Sequence, residues 1–324
     1  MIQLPLDVSH LPRDETILVA CSGGADSLAL LLSLRQREYS CVAAHINHST
    51  RGKENDDDEI FVRDVCEKLK IPFAVARLNM KADSSEAVLR DARYASLIEL
   101  AQENACSRIA TAHHANDVLE TMILNLLRDA TNAGWCGIAP QRTLAKGRLL
   151  VRPLLAATRE EIVEFLKTQD CDWREDSSNR NPRFLRNRVR HEVIPKLVEI
   201  SGGDATRMVL QAVRGAEILR EDFSVLEALA KTRLEALTLC AQDNLLILDG
   251  LKFRELPTAL QRRVLRLAFE NMESHMRDIS FEKVETTRLH VAQNKRRAVW
   301  MWKKDLAVEW TGAMAGNRIR FKRV

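Results

Sequence analysis

Four short apolar runs, each followed by a longer segment of helical period, constrain this chain more than any other feature. They are "ILVAC" from Ile17, "CVAAH" from Cys41, "FAVAR" from Phe73 and "RIATA" from Arg108. Runs that are apolar throughout, rather than alternating, belong to strands buried on both faces, and the helical segments between them supply the crossovers of a parallel sheet. The spacing predicts helices over Asp26 to Arg37, Glu54 to Leu69, Ser85 to Glu103 and Asn116 to Arg128. A fifth begins at Arg159, where Thr158 and Glu161 have the spacing of a capping box. At Ser201 the pattern breaks with "SGGD", and the rest of the chain is helix-rich, with strand-like runs "LLILDG", "AVWMW", "LAVEW" and "RIRF". The expected organisation is an α/β domain over residues 1–200 and a smaller, helix-rich α+β domain over 201–324.

Composition agrees with a chain of that kind. A length of 324 residues suits two domains, and 46% hydrophobic with 29% charged residues describes a soluble globular protein. The start "MIQLPLDVSHLPRDE" has neither a basic head nor an apolar segment, and no later run is long enough to span a bilayer, so the expected location is the cytoplasm, away from any membrane. Seven cysteines are scattered without a CxxC pair, which suits reduced, mostly buried thiols. The net charge of +4 is unevenly placed: six arginines fall between Arg174 and Arg190, and "RIRFKRV" closes the sequence with four basic groups. A solvated basic face would account for charge alone, whereas clustered arginine forks also suit phosphate oxygens.

The junction "ILVACSGGADSLALLL" is where chemistry enters. Ligands of open parallel sheets lie beyond the carboxyl ends of the strands, and "SGGADS" sits at such an end. Gly23 and Gly24 remove Cβ atoms from a close approach, Asp26 and Ser27 open the helix, and free N–H groups there favour phosphate, with the hydroxyls of Ser22 and Ser27 as added donors. An ordinary strand-to-helix turn explains one glycine and a cap, but not paired glycines between two serines. Neither a Walker loop nor a GxGxxG turn is present. The second strand ends in "HINHSTRG", bringing His45, Asn47, His48 and Arg51 to the same sheet edge. The fourth ends in "AHHANDVLET", where His113 and His114 leave the strand and Asp117 and Glu120, three apart, share one face of a helix start. Zinc would call for HExxH or Cys-His spacings, which are missing. Carboxylates near a phosphate seat suit Mg²⁺ better, although acids in a first helical turn also occur for helix-dipole reasons alone.

The "SGGADS" stretch resembles the SGGxDS signature of the PP-loop ATP pyrophosphatases, and the chain is similar to one family within them, the tRNA(Ile)-lysidine synthetases. The similarity runs through "HINHSTRG", "EAVLRDARY", "HHANDVLETMILNLLR", "VRPLLAATREEI" and "WREDSSNRNPRFLRNRVRHEVIPKL", and more weakly through "LPTALQRRVLR". Two departures stand out. "DATNAGWCG" follows "LLR" where the family has a glycine and small residues, which predicts a differently shaped loop beyond Arg128. Many relatives also carry a third C-terminal domain where this sequence ends, so fewer modules are expected to grip tRNA.

The resemblance implies a Rossmann-like PP-loop ATPase domain and a second, tRNA-binding domain. It also implies a two-step reaction at the wobble cytidine of the isoleucine tRNA with a CAU anticodon. Oxygen 2 of the base takes AMP from ATP, and free L-lysine then displaces AMP to give lysidine, moving codon specificity from AUG to AUA. Carried onto this sequence, Ser22, Gly23, Gly24, Ala25, Asp26, Ser27, His45, Asn47 and Arg51 become the nucleotide-binding set. Asp26, Asp117, Glu120 and Arg186 become the catalytic set, with Mg²⁺ held by Asp26, Asp117 or Glu120. His113, His114, Asp117, Glu120, Arg186, Arg188 and Arg190 become the lysine and tRNA set, with a carboxylate of the pair or either histidine as the candidate base. Oligomeric state is left open, a homodimer included. A PP-loop tRNA thiolase would normally show paired cysteines, an amide-forming relative an ammonia source, and an inactive RNA-binding protein would have no reason to keep Ser22, Gly23, Gly24, Asp26 and Ser27 intact.

Overall fold

A computed structural model describes residues 3–48, 53–78, 80, 86–127, 132–175, 185–272 and 279–323. Arg51, residues 128–131 at the start of the loop expected after Arg128, and the 176–184 part of the arginine-rich segment lie outside the described residues; the described part of that loop contains a short helix, Asn132–Trp135. The chain forms two compact units, Met1–Leu219 and Arg220–Val324.

In the first unit, strands β1 (Ile17–Ala20), β2 (Cys41–Asn47), β3 (Phe73–Arg77) and β4 (Arg108–Ala110) alternate with helices α1 (Ala25–Gln36), α2 (Lys53–Lys68) and α3 (Glu86–Glu103). After α4 (Ala115–Leu126) and the short α5 (Asn132–Trp135) come β5 (Gln141–Ala145), β6 (Arg148–Val151) and α6 (Arg159–Thr168). The sheet order is β3-β2-β1-β4-β6-β5, parallel except for β5, which pairs antiparallel with β6. Burial on both faces explains why β1 reads as a continuous apolar run: Ile17 and Val19 feed the core on one face, Leu18 the core on the other. The middle of helix α1 is almost wholly apolar because it is packed between the sheet and α6, with Leu28, Leu30, Leu31 and Leu34 fully buried. Thr158 and Glu161 form the expected box: Glu161 N–H donates to Thr158 Oγ1 at 3.3 Å, and Thr158 N–H to Glu161 Oε2 at 2.7 Å.

The β5–β6 hairpin is absent from the sequence-based expectation, as is a π turn. The latter, Val189–Val193, joins α7 (Leu185–Arg188) to α8 (Ile194–Ile200). Pro195 has no N–H to close an α turn on the His191 carbonyl, and the ladder widens just before it, with Ile194 N–H bonding the Val189 carbonyl five residues back. Helix α9 (Ala205–Leu237) starts after the "SGGD" break and continues past the division between the units.

The second unit holds a five-stranded antiparallel sheet of order β7-β8-β11-β10-β9. Its strands are β7 (Thr238–Gln242), β8 (Leu245–Asp249), β9 (Ala298–Lys303), β10 (Leu306–Trp310) and β11 (Arg318–Arg323), with helices α10 (Gly250–Glu255), α11 (Thr258–Met272) and α12 (Phe281–Ala292). Its core contains Trp302, Trp310, Phe253, Phe269 and Phe321. Gly250 is required by close approach, since a Cβ there would lie 2.3 Å from the Trp310 ring. The polar residues of "LPTALQRRVLR" hold this unit together: Gln261 donates to the carbonyls of Phe253, Arg254 and Leu256, while Arg288 and Arg262 grip Glu285 and pull its carboxyl down to about 2. In β11, Ile319 and Phe321 enter the core, and the basic residues alternate with them.

Candidate active site

The sheet reverses direction of growth at β1. The chain proceeds from β1 through β2 to β3 on one side, then crosses back to place β4 on the other. A crevice opens at such a switch point beyond the strand ends, and the loops that leave β1 and β4 both reach it.

The loop after β1 is tied by its serines. Ser27, buried, donates to the Gly24 carbonyl at 2.9 Å and accepts from the Ser22 N–H at 3.2 Å, while Ser22 Oγ stays exposed and accepts from Gly24 N–H at 3.4 Å. Gly23 has φ +86, and a Cβ would stand 3.0 Å from Val62 Cγ2 and 3.3 Å from Phe61, so two independent constraints demand glycine. From the other side, Arg174 N–H donates to the Gly23 carbonyl at 2.9 Å. Gly24 is the N-cap of α1 and no side chain caps it, so the N–H groups of Ala25 and Asp26 lead a helix start that is open to an anion.

The remaining nucleotide candidates hold this loop from below. His45, buried at the end of β2, bonds the Cys21 carbonyl at 2.9 Å through Nδ1, and burial pulls its pKa below the ordinary value. Asn47 turns toward α2, donating to Asp56 at 3.1 Å and to Glu59 at 3.2 Å. Glu59 also receives Arg77 and Arg63, and these bonds, Arg77 foremost, lower its carboxyl to about 2. The Asn47 side-chain amide thus locks the end of β2 to α2. His48 accepts from Arg93 at 3.4 Å.

The loop after β4 contributes the second half. His114 caps α4, its backbone N–H bonding Asp117 Oδ2 at 3.0 Å, and its ring Nε2 lies 3.7 Å from both Asp26 and Asp117. It is buried, and its Nδ1 has no partner among the described residues. His113 bonds Thr111 Oγ1 at 3.1 Å, and burial pushes its pKa down to about 4, so the ring is neutral at physiological pH.

Asp117 and Glu120 do face one side of α4, but they are not open. Arg186 donates to Asp117 Oδ1 and to Glu120 Oε2, each at 2.7 Å, and Arg190 donates to Glu120 Oε1 at 2.6 Å and Oε2 at 3.1 Å. Burial would raise the Asp117 carboxyl, but the His114 ring and the Arg186 guanidinium beside it, with the bond from the His114 backbone N–H, hold it well below the carboxylate range. In this structure the oxygens of the pair expected to hold Mg²⁺ are bonded by Arg186, Arg190 and the His114 N–H. Among the described residues no group of three or more His, Cys, Asp or Glu is arranged for a metal ion. Asp26 differs: it is partly exposed, pairs with Arg159 and His114 through Oδ1, and keeps Oδ2 without a partner among the described residues, which fits one carboxylate ligand of a nucleotide-borne cation. Arg188 stands outside the cluster, exposed and paired with Glu192 at 3.3 Å.

Sequence reasoning missed Arg159. It lies at the first position of α6, its backbone N–H bonds Asn116 Oδ1 at 2.9 Å, and its guanidinium meets Asp26 across 133 residues of chain. The segment "TREEI" signalled only a helix start.

Residues 5–197 match the PP-loop domain family, and residues 248–304 match the TilS substrate binding domain. Among curated relatives, the tRNA(Ile)-lysidine synthase of Geobacter sulfurreducens is 35% identical over 86% of this chain and 60% of its own length. That of Porphyromonas gingivalis strain W83 is 43% identical over 58% of this chain and 42% of its own, and that of Bacillus subtilis 32% over 81% and 57%. The chain thus spans about three-fifths or less of the lengths of these relatives. Among solved structures, a U34-tRNA thiolase from Methanococcus maripaludis superposes with a TM-score of 0.54 at 18% identity, over 67% of this chain and 75% of that one, a likeness of fold.

Proposed function

The chain belongs to the PP-loop family, and from that premise we propose that it uses ATP to join free lysine to the wobble cytidine of the CAU-anticodon isoleucine tRNA, releasing AMP and diphosphate and forming lysidine. The observation that carries this reading is likeness to tRNA(Ile)-lysidine synthases across both units, the substrate-binding match at residues 248–304 included. The geometry at the β1/β4 switch point supports it with a polyphosphate seat beside a buried carboxylate and arginine cluster.

In the first step the polyphosphate lies over the N–H groups at the start of α1, where Gly23 leaves room and Ser22 adds a hydroxyl. Cytosine, swung out of the anticodon loop, attacks the α phosphorus through oxygen 2; the bond to the bridging oxygen breaks and its electron pair leaves with diphosphate. Mg²⁺ carried in with ATP would be held on the protein side by Asp26 and would neutralise phosphate charge. In the second step the lysine ε-amine attacks carbon 2 and oxygen 2 departs with AMP. The amine must shed a proton. His114, with a free Nδ1, and the Asp117–Glu120 pair are the candidate acceptors. For the ammonium to use that pair as its seat, Arg186 or Arg190 turns from the carboxylates toward RNA phosphate.

Radiolabelled lysine tests the proposal. Label should enter isoleucine tRNA with ATP and not with an analogue whose α,β bridge resists cleavage. ATP-dependent modification of tRNA without lysine incorporation would assign the chain to another PP-loop activity, such as thiolation, and RNA binding without turnover would make it an inactive binder.

A further inference from the structure

Asp26 poses a problem of charge. It stands at a helix start suited to an anion, so the arrival of a polyphosphate brings like charges together unless a cation mediates. The structure contains a protein cation at that point. The Arg159 guanidinium is bonded to Asp26 Oδ1, and its side chain is 40% exposed. The guanidinium therefore has room to turn while its backbone stays fixed by two independent ties, the bond from its N–H to Asn116 and the Thr158–Glu161 box. Arg186 and Arg190, by contrast, meet Glu120, whose side chain is buried, and not Asp26.

We propose that Arg159 is a further catalytic residue of the adenylation step, resting on the reading above: its guanidinium transfers from Asp26 to the polyphosphate when ATP binds. There it carries the negative charge that builds on the diphosphate oxygens as the bond from the α phosphorus breaks. The exchange also frees Asp26 Oδ1 to join Oδ2 in serving a cation. A planar fork bonds two phosphate oxygens at once, a grip that lysine at this position would not reproduce.

The test reads binding and rate in the full chain. Arg159→Ala should weaken ATP and inorganic diphosphate at least tenfold by calorimetry, without tRNA or lysine present, while AMP binds within twofold of the unchanged protein. In single-turnover release of diphosphate with tRNA, the rate at saturating ATP should fall roughly 100-fold, the scale for loss of one charge-stabilising donor. Arg159→Lys should recover part of that rate. Equal weakening of ATP and AMP would make Arg159 a structural support for Asp26, and an unchanged saturated rate would remove it from catalysis. Because the ATP against AMP comparison needs neither tRNA nor lysine, it stands or falls separately from the lysidine reading.

Discussion

Gly23 and Glu59 carry the residue-scale arguments. Gly23→Ala meets both a left-handed backbone and a 3.0 Å contact with Val62, so it should abolish ATP binding and cost about 1–3 kcal/mol of stability, read by calorimetry and by thermal unfolding. Normal ATP affinity in that variant would show that the loop adopts another shape to bind. Glu59 is a matter of acid stability. Its carboxyl titrates at about 2 in the folded chain against an ordinary 4.5, so its contribution is complete above 4.5 and disappears as pH falls toward 2. Since Arg77 and Arg63 are more than half exposed, solvent screening reduces what the cluster contributes to stability. Glu59→Gln should lower the unfolding midpoint at pH 7 and flatten its dependence between pH 4.5 and 2; an unaltered pH profile would mean that other carboxylates control acid unfolding. At this scale the sequence was readable where a residue type has one use: paired glycines at a strand end announce close approach. It was silent on Arg159, because an arginine after a helix cap has many uses and its partner lies 133 residues away.

Elements behave as pairs in the site. The first two turns of α4 and the stretch from α7 into the π turn meet through two carboxylates and two guanidiniums, with Glu120 side-chain exposure only 2%. Removing one member strands a buried charge, at about 3–5 kcal/mol, whereas removing both opposite charges costs less than the sum. Glu120→Gln, Arg190→Gln and the double variant, compared by denaturant unfolding, should show a coupling above roughly 1 kcal/mol; additive losses would mean that the two groups do not support one another. The π turn allows a cleaner separation of shape from stability. Pro195→Ala restores a missing N–H, and the turn can then tighten to α geometry, rotating Arg186 and Arg190 relative to α8. Stability should hold or rise while lysidine formation falls at least tenfold; unchanged activity would make the wide turn incidental. Strands β1 to β4 and their helices were legible because burial on both faces leaves a continuous apolar run. The β5–β6 hairpin, half exposed and rich in polar residues, left no such trace, and neither did the π turn, whose cause is a single proline inside an otherwise helical pattern.

For the whole molecule, the proposed partner is a polyanion and the chain carries a net charge of +4, so binding should depend on salt more than on any one contact. The basic residues nonetheless divide by what the fold has done with them. Arg323 donates to the Met272 carbonyl, and Arg262 and Arg288 hold Glu285; these are architectural, and their removal should lower the unfolding temperature. Arg320 is 42% exposed and only loosely paired, 3.7 Å from Glu309, which leaves it free to meet phosphate. If it neutralises one phosphate of the bound tRNA, Arg320→Gln should shallow the slope of log affinity against log salt by about 0.7–0.9. The saturated rate should not move. Arg186→Ala should differ in kind: it takes the guanidinium donor from Asp117 Oδ1 and leaves Glu120 to Arg190 alone, so lysidine formation should fall at saturating tRNA, with a smaller change in the salt slope. The measurement is a pair of titrations over a fivefold range of salt, with single-turnover rates at the same tRNA concentrations. Identical losses of affinity with both saturated rates intact would make Arg186 a docking residue like Arg320, and the carboxylate cluster would then lose its place in the chemistry.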